Sequence, residues 1–284
     1  MSFKERITIV TVSFRSKSSL ENLIKNVSDD YEIIIVDNSQ DLEVTKEFSG
    51  KPFLKILSPK RNSGFGVACN LGAKASSRDY LFFVNPDCIL EEKALEKLYQ
   101  ASQTYKNASA FSPKIVDFKG KQTFKRRSAL LGRKEWMSRV PPTEDSEVTV
   151  IAGSAFLIEK KKFLSIGGFD ENIFLFHEDD DLSIRLRNNI GPLYYIPSAI
   201  ISHAGGRSSE RSPEIASLKG FYMGKSRVYG QKKHKKNFPL IRNFIFSFIQ
   251  LLSIEMVFSK RKRAKYLSFF KGVLSEINKE SFTG

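Results

Sequence analysis

The chain has 284 residues, a formal net charge of +15, and 41% hydrophobic and 12% aromatic residues. That length and apolar content exclude a disordered or fibrous chain and suit one large folded domain, or one domain with an appendage. Cys69 and Cys88 sit in apolar surroundings without a C-x-x-C pairing, which excludes a disulfide framework and fits a reducing cytosol.

The N-terminal "MSFKERITIVTVSF" passes from charge straight into a β-branched run. Its apolar core is too short for a signal peptide and lacks a small-residue cleavage site, so a first strand is predicted over Ile7 to Phe14. Helix-like "SSLENLIKNV" separates it from a second run, "YEIIIVDNS" (Tyr31 to Ser39). Strand, helix, strand at this spacing defines a βαβ unit with a parallel sheet. "FLKIL" (Phe53 to Leu57) supplies a third strand, and "DYLFFVNPD" a fourth that ends at Asp87. Between them "NSGFGVACNLGAKAS" (Asn62 to Ser76) places small residues at helical spacing, which permits close backbone approach. "EEKALEKLYQAS" follows as an amphipathic helix with acids in its first turn, where the helix dipole favours them.

Periodicity is lost over residues 119 to 148, which contain "KRR" and "PP" and read as a long flexible loop or excursion, the kind that is functional or disordered in compact domains. "TVIAGSAFLIEK" (Thr149 to Lys160) restores a strand, and "KKFLSIGGFDE" gives a short helix and turn. "DLSIRLRNN" gives a helix, and "LYYIPSAIISHAGG" closes with short strands ending at His203. No internal repeat is visible.

The basic excess is uneven. From Gly205 on there are 17 Lys and Arg against 5 Asp and Glu, so about +12 of the net charge lies in this C-terminal part. Phe238 to Phe258 is the most apolar segment and approaches the roughly 20 residues of a membrane span, but Arg242, Asn243, Gln250 and Glu255 interrupt it. Asn243, Ser247 and Gln250 fall on one narrow polar stripe, and the clusters "KKHKK" (Lys232 to Lys236) and "KRKRAK" (Lys260 to Lys265) flank the segment. Such a helix is expected to lie on an anionic membrane surface; a packed core helix with solvated basic loops is the bland alternative. The expected organisation is an α/β domain over residues 1–230 and a basic amphipathic helical tail over 231–284.

"FHEDDDL" (Phe176 to Leu182) sets four carboxylates in a row. Burying any of them costs free energy unless cations or hydrogen bonds compensate, so the cluster is a solvated helix start, a metal site, or a catalytic base with its supports. Two more acids, Asp37 and Asp87, end parallel strands. Open α/β sheets bind ligands outside the carboxyl ends of their strands, which puts both acids on one rim. Asp37 could hydrogen-bond a nucleotide base or ribose and Asp87 could hold a divalent cation bridging a diphosphate, although Asp in "DNS" and "NPD" is also ordinary turn chemistry.

The ordered blocks "TVSF", "IIIVDNS", "NSGFGVACNLG", "FFVNPD", "GGFDENIFLFHEDDDLSIRL" and "SHAGGRS" resemble family 2 inverting glycosyltransferases of the GT-A fold, in particular the rhamnosyltransferase-like branch. The resemblance spans about residues 5 to 230. Each block alone is weak, and the ordered set is specific. Ser13-Phe14 stands where many relatives have Tyr-Asn, and Asn85-Pro86-Asp87 replaces an Asp-x-Asp metal motif, as in that branch.

The resemblance implies a Rossmann-like mixed sheet flanked by helices, with the C-terminal amphipathic helical extension added. It implies that Thr11, Ser13 and Phe14 line the base pocket and that Asp37 bonds the pyrimidine. Arg61, Asn62, Gly64, Gly66 and Asn70 would form a loop and helix start near the nucleotide, where free backbone N–H groups suit an anion. Asp87 would hold Mg²⁺ or Mn²⁺, with Asn85 beside it and His203 as a further metal or diphosphate contact. Asp179, the first Asp after Glu in the pattern Glu-Asp-x-Asp-Leu, would be the catalytic base, with Glu178 as a support.

If a helix starts at Asp180, Glu178 and Asp179 sit at its cap, Asp180 is a solvated first-turn acid, and Asp181 pairs with Arg185 at i, i+4. The implied donor is dTDP-L-rhamnose or another dTDP or UDP sugar. The implied acceptor is a glycan or lipid-linked saccharide of bacterial surface polysaccharide, met by a cytoplasmic enzyme peripheral on the inner face of the cell membrane. No nucleic-acid partner is expected. A competing reading is a membrane- or nucleic-acid-binding protein with a degenerate enzyme domain, against which stands the joint presence of Asp37, Asp87, Asp179 and His203. A nucleotidyltransferase is disfavoured because "SFRSKSS" after the first strand lacks glycine.

Overall fold

A computed structural model describes residues 2–203 and 212–277. In its N-terminal half, Ile7–Ser13 (β1), Lys17–Lys25 (α1), Glu32–Asp37 (β2), Leu42–Phe48 (α2), Leu54–Leu57 (β3), Phe65–Ala75 (α3) and Tyr80–Val84 (β4) alternate as the patterning predicts. β3, β2, β1 and β4 are successive parallel neighbours. The runs of β1, β2 and β4 are apolar or β-branched almost throughout because both sheet faces are covered. Ile7, Ile9, Ile33 and Ile35 enter one core with Leu20, Leu23 and Ile24 of α1. Val10, Val12, Ile34 and Val36 point the other way, onto Ala68, Cys69 and Ala73 of α3. Each fully buried aliphatic side chain contributes roughly 1.5–3 kcal/mol by leaving water.

The second half turns the sheet mixed. Cys88–Leu90 (β5), Ala94–Thr104 (α4), Ala110–Val116 (β6), Gln122–Thr123 (β7), Ser146–Val148 (β8), Ala155–Glu159 (β9), Lys160–Ser165 (α5), Glu178–Asn189 (α6) and Leu193–His203 (β10) follow in order. Ten strands pair among the described residues, in the order β3-β2-β1-β4-β9-β6-β10-β5, with β7 on β6 and β8 on β10. β9 runs antiparallel to both β4 and β6, and β5 antiparallel to β10.

Two expectations are corrected here. The strand predicted from Thr149 is confined to Ala155–Glu159. The stretch before it makes other bonds: the Ile151 N–H donates to Ser183 Oγ at 3.2 Å and the Gly153 N–H to Asp179 Oδ2 at 2.8 Å. The excursion over 119–148 is anchored rather than loose. The Phe124 ring lies 5.3 Å from that of Tyr195, Gln122 donates to the Tyr195 hydroxyl at 2.7 Å, and Leu130 and Leu131 pack with Val150 and Ile184.

Pro213–Lys233 (α7), Pro239–Leu251 (α8), Glu255–Phe258 (α9) and Lys260–Leu274 (α10) follow. α7 runs unbroken through residues 230 and 231 and packs on α10 through Val228, Phe269 and Val273, with Ser217 and Ser268 hydroxyls 2.6 Å apart. The apolar stretch from Phe238 is therefore not one helix, and no helix among the described residues is long and apolar enough to cross a membrane. Its polarity is inverted: Asn243 and Ser247 are buried against the protein, while Ile245, Ile249, Leu252 and Phe258 are exposed. The Asn243 amide donates to Gln231 Oε1 of α7 at 2.6 Å, which holds the polar stripe inward.

Candidate active site

An open cleft of about 1220 Å³, its mouth included, lies at the carboxyl ends of the parallel strands. Val12, Phe14 and Ser16 after β1, with Asn38 after β2, form one wall. Asn62, Gly64 and Phe65 at the start of α3 form the next. Asn85 and Pro86 after β4, then Gly153 and Ser154, make the floor, and Phe174 to Phe176 with Glu178 and Asp179 close the far side. Ile215, Leu218 and Lys219 of α7 complete the rim.

Side-chain alternation decides which expected nucleotide residues reach this cleft. Phe14, Asn62, Gly64 and Asn85 are on its wall, whereas Thr11, Ser13 and Asp37 are buried on the opposite face of their strands and their neighbours Val12 and Asn38 take the wall positions. Asp37 accepts from Ser39 N and Oγ and from the Asp41 N–H at 2.7 Å, bonds that build the turn after β2. Arg61 is exposed and off the wall. Asn70 braces the segment before α6, its amide exchanging hydrogen bonds with the Phe169 backbone at 2.8 and 2.9 Å, and Gly66 lies under Phe169, where a Cβ would fall 2.9 Å from the Phe169 Cβ.

The start of α3 differs from expectation in a second way. Gly64 has φ 87° and lies so close to the Phe174 carbonyl oxygen that a Cβ would fall 2.4 Å away, so only glycine fits. Its N–H donates to Asn62 Oδ1 at 3.0 Å, and the Phe65 N–H donates to the Phe174 carbonyl at 3.0 Å. Those two donors are engaged and not free for an anion.

Pairing of β5 with β10 sets His203 opposite Cys88 and so brings the imidazole to Asp87. His203 Nε2 lies 3.2 Å from Asp87 Oδ1, yet neither buried Asp87 oxygen has a hydrogen-bond partner in proper geometry among the described residues. Asp87, Cys88 and His203 form a cluster able to hold a metal ion. Orphaned carboxylate oxygens with an imidazole suit a hard divalent cation such as Mg²⁺ or Mn²⁺. Burial pushes the Cys88 thiol well above its usual range, and its Sγ lies 3.6 Å from the Ser154 carbonyl, which leaves the oxygens and the imidazole as the better ligands. Residues 204–208 of "SHAGGRS" lie outside the described residues.

The acidic cluster divides its four carboxylates among different partners. α6 starts at Glu178, two residues earlier than expected, so all four acids are in its first turn and His177 is the N-cap. Phe176 and His177 both have φ 66°, the left-handed region that costs non-glycine residues free energy and recurs at functional sites. Asp179, 17% exposed at its side chain, accepts the Gly153 N–H at 2.8 Å and pairs with Lys125 Nζ at 2.6 Å. Glu178 is buried with Oε2 unpartnered among the described residues; burial and then the adjacent Asp179 charge push its pKa up to about 8.

Asp180 is not the solvated acid expected. It is buried, 2.7 Å from Lys125 Nζ and 2.8 Å from His177 Nδ1. Burial alone would raise its pKa, but Lys125 and His177 hold it well below the usual carboxylate range. The expected Asp181–Arg185 pair is present at 2.8 Å. Sequence reasoning missed Lys125, Gly153 and the α7 rim. Nothing in "FKRRS" marks Lys125 locally, because its partners lie far along the chain.

Residues 8–167, more than half of the chain, match the model of Glycosyl transferase family 2. The chain belongs to that family, and rhamnosyltransferases are among its relatives. It is 27% identical over 242 residues to an N-acetylglucosaminyl-diphospho-decaprenol L-rhamnosyltransferase of Mycobacterium tuberculosis, covering 73% of this chain and 78% of the relative. It is 26% identical over 217 residues to the rhamnosyltransferase WbbL of Escherichia coli, covering 68% and 81%. Among solved structures, the mannosyltransferase PcManGT of Pyrobaculum calidifontis in complex with GDP-Man and Mn²⁺ superposes with a TM-score of 0.56 at 10% identity, over 97% of this chain and 88% of that one. This likeness shows the GT-A fold. The protein is a glycosyltransferase.

Proposed function

We propose that the protein transfers L-rhamnose from dTDP-rhamnose, with inversion and with a divalent cation, to a glycan or lipid-linked acceptor of bacterial surface polysaccharide. Another dTDP or UDP sugar is the alternative donor. The observation that carries this reading is Asp179, a mostly shielded carboxylate on the wall of the same cleft as the Asn85-Pro86 turn. Asp87 and His203 would hold Mg²⁺ or Mn²⁺, which when bound stabilises charge on the departing nucleoside diphosphate.

Inversion needs the acceptor hydroxyl to reach the anomeric carbon from the face opposite the diphosphate and to lose its proton on the way. A carboxylate within about 3 Å can take that proton in the transition state. Asp179 is supplied for this role by α6, away from the start of β5 and the end of β10 where the proposed metal ligands Asp87 and His203 lie. Glu178, protonated near neutral pH, supports it by withholding another negative charge from the site.

The C-terminal segment would rest on an anionic membrane from the cytoplasmic side, where a lipid-linked acceptor is presented. The outward apolar face of α8 and α9 between basic clusters supports this.

Hydrolysis and transfer assays with dTDP-rhamnose, UDP-glucose, UDP-galactose and UDP-N-acetylglucosamine test the reading. Asp179→Asn is expected to bind donor normally and to lose turnover by about 10²–10⁴-fold. Full activity in that variant rejects the base assignment.

A further inference from the structure

Lys125 lies in the aperiodic excursion, contributes no residue to the family's motif blocks, and yet reaches the proposed base. Its Nζ stands 2.6 Å from Asp179 Oδ2 and 2.7 Å from Asp180 Oδ1. The backbone on both sides is fixed. Phe124 packs on Tyr195, and Arg126 exchanges bonds with Met137, donating from Nη1 to its carbonyl at 3.2 Å while its own carbonyl accepts the Met137 N–H at 2.8 Å. Asp180 is held from its other side by His177 Nδ1 at 2.8 Å. The ammonium therefore has little freedom to leave.

Counting acceptor positions shows what this does to Asp179. An ionised carboxylate offers about four lone-pair sites. Oδ2 takes the Gly153 N–H at 2.8 Å and is covered by the Lys125 ammonium as an ion pair at 2.6 Å; Oδ1 takes the Asp180 N–H at 2.9 Å. One site on Oδ1 remains for a substrate hydroxyl. We infer that Lys125 is a positioning residue for proton abstraction: it locks the Asp179 carboxylate with a single acceptor site open and balances the negative charge of the first turn of α6.

The inference rests on Asp179 being the base. The charged groups facing Asp179 are Lys125, Glu178 and Asp180, with His177 behind Asp180, whereas Arg185, Lys233 and His234 engage Asp181. Lys125 is thus the cation in contact with the base among the described residues. Its removal frees the Asp179 carboxylate to rotate and leaves two adjacent acids without their shared cation, so the loss falls on turnover rather than on donor binding.

The test uses the full chain and the donor that wild type hydrolyses fastest in the four-donor panel. Lys125→Met is expected to lower kcat about 10-fold or more while leaving the donor KM within about 2-fold. Lys125→Arg, which keeps the charge, should recover most of kcat, and it serves as the second variant if the methionine protein melts. A methionine variant with the wild-type kcat overturns the inference, as does one whose loss lies in donor KM alone or an arginine variant no faster than methionine. Asp179→Asn, run alongside, separates the two readings. If it stays active the base assignment fails, and if it is dead while Lys125→Met is normal only the Lys125 role fails.

Discussion

His234 Nε2, just past the end of α7, lies 2.8 Å from Oδ1 of Asp181, a fully buried carboxylate in the first turn of α6. Lys233 reaches the same oxygen at 2.7 Å, and Arg185 holds Oδ2 at 2.8 Å. The helix that carries the proposed base is thereby tied to the helix that rims the cleft. Burial alone would raise the pKa of Asp181, but His234, Arg185 and Lys233 hold it at about 2.

A folded-state pKa below the unfolded value of about 3.9 means that stability is present above about pH 4 and is lost as pH falls toward 2. Asp181→Asn leaves these cations uncompensated and is expected to cost about 3–5 kcal/mol, lowering Tm by roughly 10 °C at pH 7. The gap to wild type should narrow as the melts are repeated toward pH 2. Identical melting at pH 7 would show that the network contributes nothing.

Asp87 leads to a binding prediction. Two buried, unpartnered carboxylate oxygens beside an imidazole are costly as they stand and favourable around a cation. Titration calorimetry with UDP and dTDP should show affinity that depends on Mn²⁺ or Mg²⁺ and is removed by EDTA. Asp87→Asn should weaken metal-dependent binding by 10-fold or more, as roughly 1.4 kcal/mol or more of ligand free energy is lost. His203→Gln should weaken it less. Equal binding by Asp87→Asn, with or without chelator, removes the metal from this site.

The parallel half of the sheet was legible because both its faces are buried, which writes β-branched runs into β1 and β2 and an aromatic-rich apolar run into β4. Asp181–Arg185 was legible because an i, i+4 spacing is local. What escaped the sequence depends on distant contacts or on strand parity. Asp180 is buried against His177 and against Lys125, which arrives from the distant excursion. Val12 and Asn38 are on the cleft wall where Ser13 and Asp37 were expected, because a one-residue step along a strand reverses the side chain. The strand predicted from Thr149 fails because its first residues give their N–H groups to Ser183 and Asp179.

The polar stripe of α8 was also legible, but its direction was not, and the direction makes the tail testable. Isolated in water, such a helix would turn Asn243 and Ser247 outward. Here both are buried, and Ile245 and Ile249 are 54% and 62% exposed. A contiguous apolar face on a protein that is otherwise charged marks a contact surface. If that contact is the proposed membrane, the basic clusters on either side would favour an anionic lipid surface over a neutral one, each Lys or Arg near it adding about 1 kcal/mol.

Wild type should therefore float with phosphatidylglycerol vesicles and much less with phosphatidylcholine, and added salt should weaken the binding without abolishing the apolar contribution. Ile245→Glu/Ile249→Glu, placed on the exposed face, should keep the wild-type Tm and donor hydrolysis while losing flotation. Replacing Lys260, Arg261, Lys262 and Arg263 by Gln should remove the preference for anionic lipid. Undiminished flotation of the double glutamate variant would exclude this face as the membrane contact. Binding of the wild type to RNA in gel shifts at physiological salt, with no flotation, would assign the basic tail to nucleic acid instead.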